Sequence, residues 1–499
     1  MSRNRYSHIA WAGKMLTVLF IFASCTHPKV PESYGEVGVK PKIYPDYTDV
    51  TIPVNIAPLC FELITPADAA VTRFTAGGRE LTVEGRKCRP DADEWRSLLS
   101  HSVGTDIAVE VFAAKDGRWV RFSPFTLHVS PDSIDSYLCY RLISPSYVSY
   151  EELTINQRCL ENFDERVVAD NMLCSSESGG QCVNCHSFQR NNPARMQLHA
   201  RQSFGGTVIA YDGELKKVNP GGAGNKLPAV YPAWHPTERL IAYSTNSTMQ
   251  AFHTADIDKI EVYDSQSSLL LYDIDTDKLL TVDSQQDELE TYPAWSPDGR
   301  WLYYCSAHFE YAGGSVDAEE ITLRTRELKY NIWRRPFNSD TRSLGPRQLV
   351  FAADSLGVSA AHPRISPDGR WLLFSQSEYG TFHIWHRDAD LWLIDLKDKD
   401  FAARPLSECN SPAADSYHCW SSTGRWIVFS SRRHDGVFTR PFFAHIDESG
   451  KGEKPFELPS ADPDLHRQLL KSYNVPEFTC GSISLTPQQI AGVLKSGAE

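Results

Sequence analysis

YPAWSPDGRWLYYCSA, running from Tyr292 to Ala307, is a strand, a tight turn and a second strand in sixteen residues. Pro297 fixes φ, Asp298 can accept from backbone amides ahead of it, and Gly299 tolerates the positive φ that closes the turn. Trp301, Leu302, Tyr303 and Tyr304 are β-prone residues suited to a buried strand. Three other segments repeat the pattern: YPAWHPTERLIAYSTN from Tyr231, HPRISPDGRWLLFSQS from His362 and YHCWSSTGRWIVFSSR from Tyr417. The first and last depart at the turn, with HPTER and SSTGR. Further strand-like runs lie between them, SLLLYDI (Ser268 to Ile274) and DLWLIDL (Asp390 to Leu396), each ending near acidic turn residues.

The unit recurs every 55 to 70 residues, longer than the ~40–50 of a plain propeller blade, which implies inserted loops. The motif resembles the TolB-like propeller repeat, whose signature is this WSPDG-strand unit, and the resemblance covers 205–458. It implies a β-propeller of five or six blades, six preferred, with GTVIAY (Gly206 to Tyr211) as a strand of an earlier blade.

Ahead of the repeats, 46–145 reads as a smaller all-β domain. RFTAGGRELTV (Arg73 to Val83) and IAVEVFAAKDGRWVRF (Ile107 to Phe122) are hairpins turning at Gly77-Gly78 and Asp116-Gly117, with period-two alternation on both arms. Several short strands at this spacing suggest an immunoglobulin-like sandwich, without the Cys-Trp-Cys hallmark. Between sandwich and propeller, 146–204 reads as an irregular or helical connector. YEELTINQRCLENFDE can be helical and SSESGGQCVNCHSFQRNNP has loop composition. A C-terminal segment, 459–499, follows the propeller. The expected class is all-β.

The chain opens with Arg3, Arg5 and Lys14, no acid, and then LTVLFIFAS before Cys25. A basic flank and a short apolar run ending in small residues read as an export signal, 1–24. Phe22-Ala23-Ser24-Cys25 resembles the lipobox of bacterial lipoproteins, which implies lipidation of Cys25, a tether over 25–45 and a soluble body held at a membrane. Thr26, rather than Asp, after that cysteine implies the outer membrane, and the absence of a dense acidic run favours its periplasmic face. The formal charge of −13 argues against nucleic acid as a partner. Twelve cysteines are tolerable where thiols can pair, outside the cytoplasm.

Inside the connector stands Cys182-Val183-Asn184-Cys185-His186. A thioredoxin-type dithiol wants a helix start in a βαβ unit, which is not visible here. A zinc site wants further ligands, for which Cys174 and His199 are the candidates. Covalent haem uses the two cysteines as thioethers and His186 as an axial ligand. Export brings the chain to the compartment where that attachment occurs. The expectation is therefore one haem c on Cys182, Cys185 and His186. Met196 is the favoured opposite ligand and His199 the alternative, both on one helical face if NPARMQLHARQ is helical. The whole resembles envelope lipoproteins in which a TolB-like propeller follows a CxNCHSF stretch, matched here by Cys182, Asn184, Cys185, His186, Ser187 and Phe188.

A hydrolase domain after the propeller would need a Gly-x-Ser-x-Gly elbow, and the chain has none. His235, His253, His308, His362, His383, His386 and His418 recur near blade starts, with HIWHRDAD (His383 to Asp390) the densest group; a metal site there is the minor reading beside ordinary hydrogen bonding. Two readings of function stay open. One is a haem-bearing electron carrier whose rim docks a redox partner or envelope protein. The other is an envelope scaffold in which CxxCH is a disulfide or a structural haem site.

Overall fold

The computed structural model describes residues 29–144, 152–175, 182–220, 228–256, 258–280, 282–284 and 287–496. The chain is all-β, with a few short helices. In the N-terminal domain a seven-stranded sheet faces a three-stranded one. Both expected hairpins form. Ala69–Ala76 pairs with Arg79–Glu84 through Gly77 and Gly78, and Asp106–Lys115 pairs with Arg118–Arg121 through Asp116 and Gly117. All four turn residues have positive φ, as a two-residue hairpin that follows the strand twist requires. A helix over Ala92–Ser100, capped by the Asp91 carboxylate, buries Trp95, Leu98 and Leu99 in this core.

Six further sheets make a closed propeller. Blade one comprises Tyr137–Ile143, Thr154–Cys159, Glu165–Asp170 and, innermost, Ser472–Thr479. Blade two runs from Val183–Phe188 through Arg195–Ala200 and Gly206–Tyr211 to Glu214–Val218. The four sequence repeats open blades three to six, with inner strands Ala229–Trp234, Glu288–Trp295, Ser359–Ile365 and Asp415–Trp420. The segment read as an irregular or helical connector is therefore blade material. Thr154–Cys159 and Arg195–Ala200 are strands with neighbours on both sides. Ladder pairing to the strands that precede and follow them in the chain overrides their weak helical pattern. The C-terminal segment is likewise part of the ring, because Ser472–Thr479 pairs with Tyr137–Ile143 and joins the two ends of the propeller.

The repeat motif builds two devices. At the turn, Trp301 N–H donates to Ser296 Oγ at 3.0 Å and Arg300 N–H to Asp298 Oδ1 at 3.1 Å. The Ser366–Asp368 turn is the same. The two divergent turns keep the arrangement with other atoms: Thr423 stands for the aspartate, and His235 Nδ1 accepts from Glu238 N–H at 3.0 Å. Indole N–H groups stitch blades three, four and six each to the blade before. Trp234 donates to Ser187 Oγ (3.1 Å), Trp295 to Ala233 O (3.1 Å) and Trp420 to Arg364 O (3.2 Å). The sandwich core runs on into blades one and six through Tyr140, Trp426, Phe443 and Phe456, so the two domains share one apolar core.

Candidate functional site

Each inner strand carries one non-glycine residue with positive φ: Cys185, Tyr231, Tyr292, His362, Tyr417 and Val475, with φ between 48° and 55°. The ladder register shifts at each of these places. A bulge re-aims the side chains beside it, and six in register give a ring of side chains around the channel. Cys185-His186-Ser187-Phe188 thus occupies the slot held by Tyr231-Pro232-Ala233-Trp234 in blade three and by Val475-Pro476-Glu477-Phe478 in blade one.

Four of the ring positions are aromatic and touch in sequence. Tyr231 and Tyr292 have centroids 4.5 Å apart, Tyr292 and His362 3.9 Å, and His362 and Tyr417 4.8 Å. The other two, Cys185 and Val475, are small and adjacent. Beside them lies a chamber of about 190 Å³ lined by Cys182, Cys185, His186, Arg141, Arg201 and the aromatic arc. Thr248, Gln250 and Val262, from the long hairpin of Leu240–Phe252 and Ile260–Asp273, form part of its wall with Phe382 and Trp385. The hairpin is fastened to blade five by Glu261, which accepts from Tyr379 Oη at 2.7 Å and pairs with His386 Nε2 at 3.2 Å. A second cavity, about 300 Å³ and lined by Trp234, Trp295 and Trp420, opens at the other level of the channel. Arg364 and Glu477, 3.0 Å apart, line both cavities.

His186 is 1 % exposed; neither ring nitrogen makes a well-aligned hydrogen bond among the described residues, though the Cys139 and Val475 backbones lie close enough to interact with the ring. Burial, with the Arg141 guanidinium nearby, pushes its pKa down to about 4, so the imidazole is neutral at neutral pH. Burial also pushes the Cys185 thiol up, against the pull of Arg201 and Arg141. His362 again has two ring nitrogens without a hydrogen bond among the described residues, and burial, His418 and His383 hold its pKa well below the usual value. None of the described cysteines forms a disulfide.

The structure brings Cys182, Cys185 and His186 to one wall and leaves the expected opposite ligands elsewhere. Met196 lies in the apolar core with Phe188, Leu198 and Cys139 and does not line the chamber. His199 is bonded to Thr207 Oγ1 at 3.0 Å. The two residues sit on a strand, three apart, so they point to opposite faces rather than sharing a helical one. Cys174, the candidate zinc ligand, is buried in the same core as Met196. Among the described residues no group of three His, Cys, Asp or Glu could hold a metal ion. His383 and His386 are engaged with Ser375, Ser377 and Glu261, and His235 serves its turn. Cys25 lies outside the described residues, among which no helix is long and apolar enough to cross a membrane. Arg141 and Arg201 escaped the sequence reading because no motif surrounds them. The aromatic arc was visible as the residue heading each repeat.

No family model matches the chain, and no curated protein matches it. Among solved structures it is similar to an oligogalacturonate lyase in complex with manganese, at 12% identity and TM-score 0.37, over 66% of this chain and 74% of that one. It is similar to the Dos1 propeller at 13% and 0.33, over 85% and 88%. A prolyl oligopeptidase B from Galerina marginata aligns at 9% and 0.35, over 70% of this chain and 42% of that one. These are likenesses of fold.

Proposed function

We propose that this propeller carries one covalently bound haem c at its channel, on Cys182 and Cys185 with His186 as an axial ligand, and acts as a membrane-tethered electron carrier that docks partners on its rim. The supporting observation is the wall itself: two unbonded thiols beside a buried, neutral imidazole whose nitrogens make no well-aligned hydrogen bond among the described residues. The donor types fit the group, and haem would supply one-electron transfer. The chain's part is to exclude water from His186, hold it neutral and place positive charge from Arg141 beside it. Lipidation of Cys25, an outer-membrane location on the periplasmic face and a redox or envelope-protein partner belong to the same proposal, motivated by the lipobox-like FASC. A visible spectrum of protein made with an active haem-maturation system tests it: colour that survives denaturation and acid extraction supports covalent haem, and colourless protein refutes it.

A second reading, a non-redox scaffold, is favoured by the size of the chamber. About 190 Å³ is below the ~300–1,000 Å³ of cofactor sites and closer to a cavity of ~150 Å³ that holds benzene. A tetrapyrrole would need the hairpin wall to withdraw. In this reading Cys185 and His186 fill a structural slot that Tyr-Pro fills in blades three and four, and free or disulfide-bonded thiols in the matured protein would establish it.

A further inference from the structure

We infer that His362, in blade five, is the second axial ligand of the haem, an inference that rests on the haem reading just proposed. The first argument is one of place. The inner strands of blades one to six touch in that order, and the sixth touches the first. In a closed ring of six, the blade three steps away lies across the channel, so blade five faces blade two. His362 holds the bulge position of its strand as Cys185 does in blade two, with φ of 55° at both. His186 and His362 line the same chamber. With His186 on one face of a tetrapyrrole, the other ligand has to come from the opposite side. That is where the fold puts His362. The hairpin that would have to withdraw belongs to blade three, so the two strands bearing the ligands keep their places.

The second argument is chemical and independent of the first. His362 is 8 % exposed, and neither of its ring nitrogens makes a hydrogen bond among the described residues. Buried polar groups are paired as a rule, so an imidazole with both nitrogens unused on a cavity wall is set up to bind something the chain does not supply. Its neighbours hold the ring without using those nitrogens. It packs on Tyr292 with centroids 3.9 Å apart and on Tyr417 at 4.8 Å, and such packing fixes a ligand's orientation. The other donors on the wall are committed. His418 directs Nε2 to the carbonyls of His362 and Leu373, at 2.7 and 3.2 Å. Glu477 pairs with Arg364, and no methionine is among the described residues of the wall. Two protein ligands suffice here, because haem brings four nitrogens of its own, whereas a bare zinc ion wants three or four from the chain.

The full chain, matured in a haem-attaching host and oxidised, is followed by visible absorption and electron paramagnetic resonance. Wild-type protein should be low-spin, with two imidazole ligands. His362→Phe keeps a ring in a slot that holds tyrosine in three other blades. It should retain the covalent haem and lose the low-spin signal to a high-spin one. His362→Ala should do the same and regain the low-spin signal when free imidazole is added. Met196→Leu, which keeps the packing and removes the thioether, should leave the spectrum unchanged. A low-spin signal that persists in His362→Phe overturns the inference and leaves covalent haem standing, as does a wild-type spectrum that is high-spin or shows methionine ligation. The wild-type spectrum needs no substitution, so the inference can fail even if a variant misfolds. Colourless wild-type protein overturns it together with the haem reading.

Discussion

Blade two and blade three share a backbone and differ in chemistry. Both inner strands bulge at the same place, with φ near 50° at Cys185 and at Tyr231, and both send their next aromatic, Phe188 or Trp234, into the layer below. Blade three fills its slot with Tyr231-Pro232 and joins the aromatic arc. Blade two fills it with Cys185-His186 and leaves a chamber with thiols, an imidazole and nearby guanidinium groups. The fold dictates where a side chain is presented to the channel, and a two-residue substitution decides whether that place is packing or a site.

Breaking the ring that makes the comparison possible should have the largest effect. A chain ending at Lys471 lacks Ser472–Thr479, the innermost strand of blade one. It should fail to yield soluble, cooperatively unfolding protein, whereas removal of 497–499 should leave the melting transition in place.

Next comes the stitching between blades. Trp295→Ala removes a buried ring that packs on His235 and Phe337 and should cost about 3–5 kcal/mol in denaturant unfolding. Trp295→Phe keeps most of the ring but leaves the buried Ala233 carbonyl without its donor, at a cost of about 1–3 kcal/mol. Ile365 occupies the equivalent position with no N–H to give, so Ile365→Leu should cost well under 1.5 kcal/mol.

Acid should distinguish the chamber from the domain interface. His186, His383 and His418 are neutral in the fold, with burial first among the causes holding their pKa values to about 4, 3 and 3. Unfolded, they protonate near pH 6.5. The unfolded chain therefore binds more protons as pH falls below about 6.5, and each histidine withdraws about 2 kcal/mol of stability by pH 5. Glu457, at the interface, behaves differently. Burial raises its pKa, but His466 at 2.7 Å and His434 at 3.0 Å outweigh that and bring it to about 2. Its contribution is complete above about pH 4.5 and is lost only between there and pH 2. Unfolding measured from pH 7 to pH 4 should show the histidine loss first, and His186→Phe should shallow that slope. An unchanged slope would mean His186 is not buried as a neutral group.

The smallest effect on stability should come from making blade two like blade three. Cys185→Tyr places a residue that the same backbone already accepts at three other positions, so the change should stay within about 1 kcal/mol. It should also fill the gap in the arc; a loss of more than about 3 kcal/mol in denaturant unfolding would show that the slot of blade two is not equivalent to that of blade three.

How far these features were legible in the sequence follows from the same slots. Blades four and five announce themselves by the Pro, Asp and Gly of their turns, and blades three and six follow by alignment, because their inner strands end in Trp before a polar turn and an apolar run. Blades one and two carry VPEF and CHSF in the slot and lack the turn signature, so their strands read as connector and tail. Pairing of Tyr137–Ile143 with Ser472–Thr479 joins residues more than three hundred positions apart and leaves no local pattern. The motif residues were readable as a cluster by spacing alone. The placement of Met196 in an apolar core and of His199 against Thr207 was not, because a strand rather than a helix separates the two, and nothing local reveals it.

The most direct measurement is mass spectrometry of the proteolytic peptide spanning Cys182 to Phe188, taken from protein matured in a haem-attaching host. The account predicts a single haem-modified peptide in which neither cysteine can be alkylated after denaturation. A peptide with two alkylatable thiols, or with a Cys182–Cys185 disulfide, would contradict it and leave the propeller a scaffold whose second blade merely departs from its neighbours.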